Sequence, residues 1–226
     1  MRIKHVFFDL DHTLWDFETN SAKTFALIFE RNRLEVSFVD FMEVYRPINH
    51  KYWKLFREDK VTKKDLRYLR LKEAFDAVNY EVSDELINLL SVEYITYLAQ
   101  HNALFDDAIH VLEYLRETYK MHIITNGFEE VQLRKLRNSK LLPFFDQIIT
   151  SEKVGVKKPN PKIFHYAMEM TGASSNESIM IGDNFEADIL GAKQVGMQVI
   201  FCEFNGEVAT EEVPTISNLM ELKKFL

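Results

Sequence analysis

Two pairs of aspartates and one lysine are the residues of this sequence best suited to chemistry. Asp9 and Asp11 stand two positions apart directly after an apolar run. Because side chains alternate along a strand, we expect both carboxylates to point to one side. Asp183 and Asp188 follow a second apolar run. Carboxylates held this close repel one another, so the cluster requires a cation, and oxygen ligands of this kind suit Mg²⁺ with several bound waters. Lys158 can neutralise part of the remaining charge.

Thr125 and Asn126 add a hydroxyl and an amide at the end of a further apolar run. A carboxylate nucleophile, a metal ion, a lysine and such a cradle are what phosphoryl transfer requires, because its catalysis is mostly positioning and neutralising charge on the transferred oxygens. A nucleophile must be ionised, so we expect Asp9 on the metal. An acid must hold a proton, so we expect the Asp11 side chain off the metal, among neighbouring negative charges. The residues therefore predict a phosphatase site.

Strands that alternate with helices are expected to position these residues. All seven glycines lie beyond residue 126, so the residues that favour turns are concentrated in the second part of the chain. The two parts are therefore expected to differ in structure. Asn160 as N-cap, Pro161 in the first turn and Gly172 past the last turn bracket one helix. The alternation predicts an α/β fold with a Rossmann-like parallel sheet, whose ligands bind beyond the carboxyl ends of the strands. The predicted strands are 3–8, 121–125, 147–150, 178–181 and 197–202, and the predicted helices are 105–119, 129–139, 161–171, one running to 196, and 219–226.

The stretch from 20 to 98 has a different character. It consists of long, highly charged segments with apolar residues at helical spacing, and Pro47 is its one strong breaker. Ser83 followed by Asp84 marks a helix start, and a helix ending near residue 99 follows. We therefore expect an all-helical insert in the α/β fold.

Composition limits the function classes. The chain has 226 residues, and 28 Lys and Arg against 35 Asp and Glu give a formal charge of −7, which disfavours a nucleic-acid polymer or an anionic membrane as partner. Cys202 is the one cysteine, which excludes an intramolecular disulfide and fits core packing in a reducing compartment. The N-terminal apolar run is too short for a signal peptide, and no segment reaches transmembrane length. We expect a cytoplasmic protein.

Four short motifs, in order along the chain, resemble those of the haloacid dehalogenase superfamily in its phosphatase branch. They are Asp9-Leu10-Asp11-His12-Thr13-Leu14, Ile124-Thr125-Asn126, Lys158-Pro159-Asn160-Pro161, and Gly182-Asp183-Asn184 with Asp188. Each alone could be an ordinary turn or loop, but four in order at predicted strand ends favour the family. The resemblance implies a catalytic core of residues 1–14 and 100–226, and an all-helical cap, 15–99, that closes over the site and selects the leaving group.

The resemblance also implies a role for each motif residue. Asp9 would form an aspartyl-phosphate, and Asp11 would protonate the leaving oxygen and then activate water. Thr125, Asn126 and Lys158 would hold the phosphoryl group. The Mg²⁺ ligands would be the carboxylates of Asp9 and Asp183 and the backbone carbonyl of Asp11, with Asp188 beyond the direct ligands.

Two remote alternatives are a 2-haloacid dehalogenase and a phosphate-binding scaffold without turnover. Dehalogenases of the superfamily lack the aspartate two positions after the nucleophile, because their leaving group needs no proton; here that residue is Asp11. A phosphate binder would gain little from Asp9, whose carboxylate repels its ligand. We therefore expect an enzyme.

The expected partner is a small phosphate ester, and the cap is expected to choose it. Between residues 46 and 72, ten basic residues stand against three acidic ones, and Arg57 is a candidate for drawing phosphate dianions into the cleft. The alternative is a solvated helix face. Aromatic residues could stack on a nucleobase or simply pack a core. They are Trp15, Phe17, Tyr52 and Trp53.

Wider strings around three motifs resemble one branch of the family more closely. Residues 11–17, 124–128 and 154–164 look like those of bacterial noncanonical pyrimidine nucleotidases, which hydrolyse nucleoside 5′-monophosphates. Sugar-phosphate phosphatases, phosphoglycolate phosphatases and phosphomutases of the superfamily share nearly the same core motifs, so these alternatives remain open.

Overall fold

The computed structural model describes residues 2–226 and contains two compact units. One unit comprises the chain up to Glu18 together with Asn102–Leu226, and the other is Thr19–His101. The chain therefore leaves the first unit a few residues after Asp11 and returns to it only at Asn102.

Helices build the second unit. They are α1 (Phe17–Arg31, which begins in the first unit), α2 (Phe38–Arg57), α3 (Lys63–Ala77) and α4 (Asp84–Tyr97), followed by a 3₁₀ turn at Leu98–Gln100. The Ser83 side chain accepts from the Leu86 N–H and caps α4, as its sequence predicts. Pro47 does not end a helix, because α2 continues through it. Aromatic rings fill the centre of this unit: Phe25, Phe41, Tyr45, Phe75 and Tyr94 are all buried.

A six-stranded parallel sheet organises the first unit, in the order β3-β2-β1-β4-β5-β6. The strands are β1 (His5–Phe8), β2 (Lys120–Thr125), β3 (Gln147–Thr150), β4 (Ser178–Gly182), β5 (Gln198–Cys202) and β6 (Thr215–Ile216). All neighbouring pairs are parallel, which confirms the predicted α/β class. The sequence did not predict β6, since two residues are too few to show alternation.

The central strand is β1, and the strand order reverses there. The chain adds β2 and β3 on one side of β1, and β4, β5 and β6 on the other. Phe8 pairs with Ile123 of β2 and Ile181 of β4, so the three strands end nearly level. At such a switch point the loops after the strands separate and leave a crevice for a ligand.

Helices flank this sheet. They are α5 (Ala108–Leu115), α6 (Glu129–Asn138), α7 (Ser151–Val154), α8 (Pro161–Thr171), a π-helix at Phe185–Leu190 and α9 (Gly191–Gln194), with 3₁₀ turns at Leu142–Phe144, Ser175–Glu177 and Leu219–Lys224. Asn160 caps the start of α8, and Gly172 ends it with a left-handed φ of 67°, both as predicted. Phe164 of α8 packs with Phe7 and Met180 in the buried core beneath the sheet.

Three predicted helices differ from the structure. The helix predicted for 105–119 spans only Ala108–Leu115, and Asp107 before it is left-handed with φ 62°. The helix running to residue 196 starts as a π-helix and becomes α-helical at Gly191. The terminal helix predicted for 219–226 is a 3₁₀ helix, Leu219–Lys224. Within residues 2–226, no helix combines the length and apolarity needed to cross a membrane.

Candidate active site

Three strand ends of the first unit bring the motif residues to one place. Asp9 follows β1 directly, and its N–H donates to the Ile181 carbonyl oxygen at 2.9 Å, which prolongs the pairing with β4. Thr125 is the last residue of β2, and Asp183 comes directly after β4. The sequence places each residue there because the apolar run before it forms a buried strand.

Asp9, Asp183 and Asp188 form a tight acidic cluster. Each offers a carboxylate oxygen, and these oxygens lie within 4.8 Å of one another. The Lys158 ammonium lies between two of them, with Nζ 2.6 Å from Asp9 Oδ1 and 2.6 Å from Asp188 Oδ1, and it donates to the Ile124 carbonyl oxygen at 2.7 Å. Lys158 is only 2% exposed, so water screens these interactions little.

Burial sets the protonation of this cluster. It raises the pKa of Asp9 to about 7, although Lys158 opposes the shift. Burial, with Asp9 and Asp188 nearby, also raises the pKa of Asp183 well above its usual range. Burial alone would lower the pKa of Lys158, but the carboxylates of Asp188 and Asp9 outweigh it and raise that pKa. The lysine therefore stays charged, while the carboxylates need a further cation to ionise fully at neutral pH.

The charges of the site fit a divalent metal ion. If all four were ionised, the carboxylates of Asp9, Asp11, Asp183 and Asp188 would face two buried ammonium groups, and two negative charges would be uncompensated. The cluster offers oxygen donors only, which is the set that Mg²⁺ prefers. Thr13 Oγ1 donates to Asp183 Oδ1 at 3.1 Å and holds that carboxylate in place.

Asp11 is held apart by a different set of contacts. Lys135 Nζ lies 2.5 Å from Asp11 Oδ1, and Gln132 Nε2 donates to Asp11 Oδ2 at 2.9 Å. The sequence placed Asp11 among neighbouring negative charges, and the structure adds a positive one, the Lys135 ammonium of α6. Gln132 and Lys135 thus fix the Asp11 side chain, and its role as an acid and base off the metal stays a prediction.

Thr125 and Asn126 are both anchored by hydrogen bonds. Thr125 Oγ1 accepts from the Gly127 N–H at 3.1 Å and from Gln132 Nε2 at 2.8 Å. Asn126 Nδ2 donates to the Lys158 carbonyl oxygen at 3.0 Å, and Asn126 Oδ1 accepts from the Lys158 N–H at 2.8 Å. The Asn126 side chain thus positions the lysine, and its contact with phosphate stays a prediction.

Gln132 and Lys135 are the two site residues that the sequence motifs do not include. Both lie on the buried face of α6, between Val131 and Leu136. Polar residues three positions apart on the apolar face of an amphipathic helix are the signal that could have identified them.

The aromatic and basic candidates lie in both units. In the first, Trp15 is fully buried and Phe17 nearly so. In the second, the buried Tyr52 hydroxyl donates to Glu73 Oε2 at 2.8 Å, and burial raises the Tyr52 pKa to about 12. Trp53 and Arg57 are half-buried on the same helix. Contact of these residues with a substrate stays a prediction.

Ion pairs compensate part of the basic stretch. Lys51 pairs with Glu73, Lys60 with Glu58, and Lys72 with Asp76. The solvated helix face, which the sequence left open as an alternative, therefore accounts for some of this charge.

A doubly wound α/β unit binds its ligands at the switch point, and the carboxylates gathered there include groups able to act as covalent nucleophiles. A model of the haloacid dehalogenase-like hydrolases matches residues 3–196. The chain belongs to this hydrolase family, which confirms the resemblance that the four motifs carry.

Named relatives cover nearly the whole chain. Pyrimidine 5′-nucleotidase YjjG of Escherichia coli is 30% identical over 230 residues, with 100% of this chain and 99% of the relative covered. Glyceraldehyde 3-phosphate phosphatase of Methanothermobacter thermautotrophicus is 30% identical over 243 residues, with 99% and 100% covered. Among solved structures, the magnesium-bound HAD-hydrolase YfnB of Bacillus subtilis superposes with a TM-score of 0.90 at 29% identity, covering 100% of this chain and 99% of that one.

Proposed function

We propose that this hydrolase is a Mg²⁺-dependent phosphomonoesterase that acts through an aspartyl-phosphate on Asp9, with pyrimidine nucleoside 5′-monophosphates as its substrates. The observation that carries the proposal is the buried Lys158 ammonium held between Asp9 and Asp188 at the ends of parallel strands. The family membership and the magnesium in the related YfnB structure support it.

The first half-reaction transfers the phosphoryl group to the protein. An Asp9 carboxylate oxygen attacks phosphorus, and the bond between phosphorus and the ester oxygen breaks as Asp11 gives that oxygen a proton. Lys158 Nζ and Thr125 Oγ1 hold the phosphoryl oxygens. The carboxylates of Asp9 and Asp183 and the Asp11 backbone carbonyl would hold Mg²⁺, which would supply positive charge to offset the charge on these oxygens.

The second half-reaction restores the enzyme. The ionised Asp11 takes a proton from water as the water oxygen attacks phosphorus, and the bond between phosphorus and Asp9 breaks. Inorganic phosphate leaves, and both aspartates return to their starting forms. Asp188 contributes by holding Lys158, since Asp188 Oδ1 lies 2.6 Å from its ammonium.

The helical unit, Thr19–His101, is proposed to act as the cap that selects the leaving group. Its insertion a few residues after Asp11 supports this role, because the chain enters it directly from the first motif. YjjG, named a pyrimidine 5′-nucleotidase and similar over its full length, supports a nucleotide substrate.

A sugar phosphate is the second candidate substrate. The glyceraldehyde 3-phosphate phosphatase is equally similar at 30% identity, again over nearly the full length of both chains. The two candidates share the chemistry at Asp9 and differ only in the leaving group.

Phosphate release from a panel of esters tests the proposal. The panel contains nucleoside 5′-monophosphates, glyceraldehyde 3-phosphate, other sugar phosphates and phosphoglycolate, with and without EDTA, and Asp9→Asn protein is the blank. We expect release of phosphate from UMP, dUMP or dTMP, lost with EDTA and restored by Mg²⁺. Release from sugar phosphates alone would reject the nucleotidase assignment and keep the phosphatase. Binding of phosphate without release from any ester would indicate a scaffold.

A Gly182→Ala substitution should impair this site. A methyl group at residue 182 would lie 2.3 Å from Asp188 Oδ2 and 2.6 Å from Asp188 Cβ. Because Asp188 is short and buried, its carboxylate must leave the position in which Oδ1 lies 2.6 Å from the Lys158 ammonium. A displacement near 1 Å in such a site costs roughly 10²-fold in rate, so kcat/KM for the best ester should fall about that much. Unchanged kcat/KM in a folded variant would show that Asp188 does not position the lysine.

A further inference from the structure

Two residues of α6 surround the Asp11 carboxylate. Gln132 is fully buried and Lys135 is 2% exposed, so neither projects into solvent. Gln132 Nε2 donates to Asp11 Oδ2 at 2.9 Å, and Lys135 Nζ lies 2.5 Å from Asp11 Oδ1. Both carboxylate oxygens are thus held by one helix.

Gln132 also connects Asp11 to the phosphate cradle. The same Nε2 donates to Thr125 Oγ1 at 2.8 Å. The Gln132 amide therefore bridges the Asp11 carboxylate and the Thr125 hydroxyl and fixes the distance between them. Gly127 makes room for this amide: a methyl group at residue 127 would lie 2.4 Å from Gln132 Nε2. The position of the amide therefore depends on the absence of a side chain at residue 127.

Two aromatic rings restrict the Lys135 ammonium. Its Nζ lies 4.1 Å from the centroid of the Trp15 ring and 5.4 Å from that of Phe17. A cation over an aromatic face is stabilised by the charge distribution of the ring, more strongly where water is excluded. Trp15 and Phe17 thus contact an ammonium group of the protein itself.

We propose that Gln132 and Lys135 are positioning residues that aim Asp11 at the leaving oxygen and at the attacking water. We call this pair the Asp11 clamp. The inference rests on the proposed function, since Asp11 has these tasks only in a phosphatase. A carboxylate held at both oxygens has lost its rotational freedom before the substrate arrives. The entropic cost of orienting it is therefore absent from the barrier to proton transfer.

If the clamp positions Asp11, the loss of kcat/KM in variants without the clamp should depend on the leaving group of the ester. An alkoxide leaves poorly without a proton, whereas p-nitrophenolate leaves without one. The value of kcat/KM reports steps up to the first irreversible one, which is transfer to Asp9. Losing the clamp should therefore lower kcat/KM for an alkyl phosphate far more than for p-nitrophenyl phosphate. Attack by water still needs Asp11, so with p-nitrophenyl phosphate kcat and KM should fall together.

The test compares Lys135→Met, Gln132→Met and Gly127→Ala with the wild-type protein. Arg137→Met is the matched control, because Arg137 is an exposed basic residue of the same helix. In Gly127→Ala the added methyl group would lie 2.4 Å from Gln132 Nε2 and 3.0 Å from Gln132 Cγ, so the side chain must shift. This variant disturbs the clamp without emptying a core position. The substrates are p-nitrophenyl phosphate and the panel ester that wild type hydrolyses fastest, which is an alkyl phosphate because its leaving group is an alkoxide. Thermal unfolding shows whether each variant is folded.

We expect the three clamp variants to lose at least about tenfold more kcat/KM on the alkyl phosphate than on p-nitrophenyl phosphate, within the range that proton transfer contributes. Arg137→Met should match wild type on both. Equal losses on the two esters, or no loss, would overturn the clamp while leaving the phosphatase intact. Wild-type protein inert toward both esters would overturn the proposed function and the clamp with it.

Discussion

Asp9→Asn protein should release phosphate at least on the order of 10⁵-fold more slowly than wild type, as expected when a covalent nucleophile is removed. Asparagine matches the size of aspartate but lacks the negative oxygen that attacks phosphorus. It also leaves the Lys158 ammonium, 2.6 Å from Asp9 Oδ1 in the native site, with one carboxylate partner fewer. Steady-state phosphate release on the best ester of the panel measures the effect.

The same substitution should not destabilise the fold. Burial raises the pKa of Asp9 to about 7, so ionising this side chain costs free energy in the folded state. An uncharged residue also relieves its repulsion from Asp183 and Asp188. We expect a Tm equal to or above that of wild type, as is common where a strained functional site is neutralised. A variant that retains substantial turnover, or that carries a phosphoryl group, would refute the assignment of the nucleophile.

The second large effect is expected for Asp11→Asn. Without the acid and base, turnover of an alkyl phosphate should fall by about 10²–10⁴-fold. Unlike Asp9→Asn, this variant keeps its nucleophile, so p-nitrophenyl phosphate should still phosphorylate it in a single burst. Rapid-mixing measurement of p-nitrophenolate release reports the burst.

Asp106→Asn is the control for this experiment, because Asp106 is an exposed aspartate of the same unit. It should behave as wild type in both the burst and the steady state. Absence of a burst in folded Asp11→Asn protein, with Asp9 intact, would show that Asp11 is required for phosphoryl transfer itself even when the leaving group needs no proton.

The sequence revealed the part of the site that depends on strand ends. Asp9, Thr125 and Asp183 follow apolar runs, and parallel strands must bring the residues after such runs to one edge of the sheet. Asp11 was identified from its spacing to Asp9. These inferences needed only the period of a strand and the direction of the chain.

The sequence did not reveal which side chains the helices bring to the site. The amphipathic pattern of α6 can place Gln132 and Lys135 on its buried face. Which residue of the sheet they meet there depends on how the helix packs along the sheet, and no local pattern specifies that. Asp188 reaches Lys158 from a π-helix, Phe185–Leu190, whose wider turn is likewise set by packing. The sequence therefore predicted positive charge at Lys158 and missed it at Lys135.

In the fold, too, some elements could be predicted from the sequence pattern and others could not. Five of the six strands were predicted because they are long enough to show a pattern, and the two-residue β6 was not. The helix predicted from residue 105 begins only at Ala108, since Asp107 adopts φ 62°, a backbone conformation that helical periodicity does not report.

The covalent intermediate on Asp9 is the central claim, and locating the phosphoryl group tests it most directly. Asp11→Asn protein with Mg²⁺ would be mixed with p-nitrophenyl phosphate, quenched in acid during the burst, digested and examined by mass spectrometry. The account predicts one phosphoryl group, in the peptide containing residue 9 and on Asp9 itself, absent when Asp9 is also replaced by Asn. A phosphoryl group on another residue, or its persistence after replacement of Asp9, would contradict it.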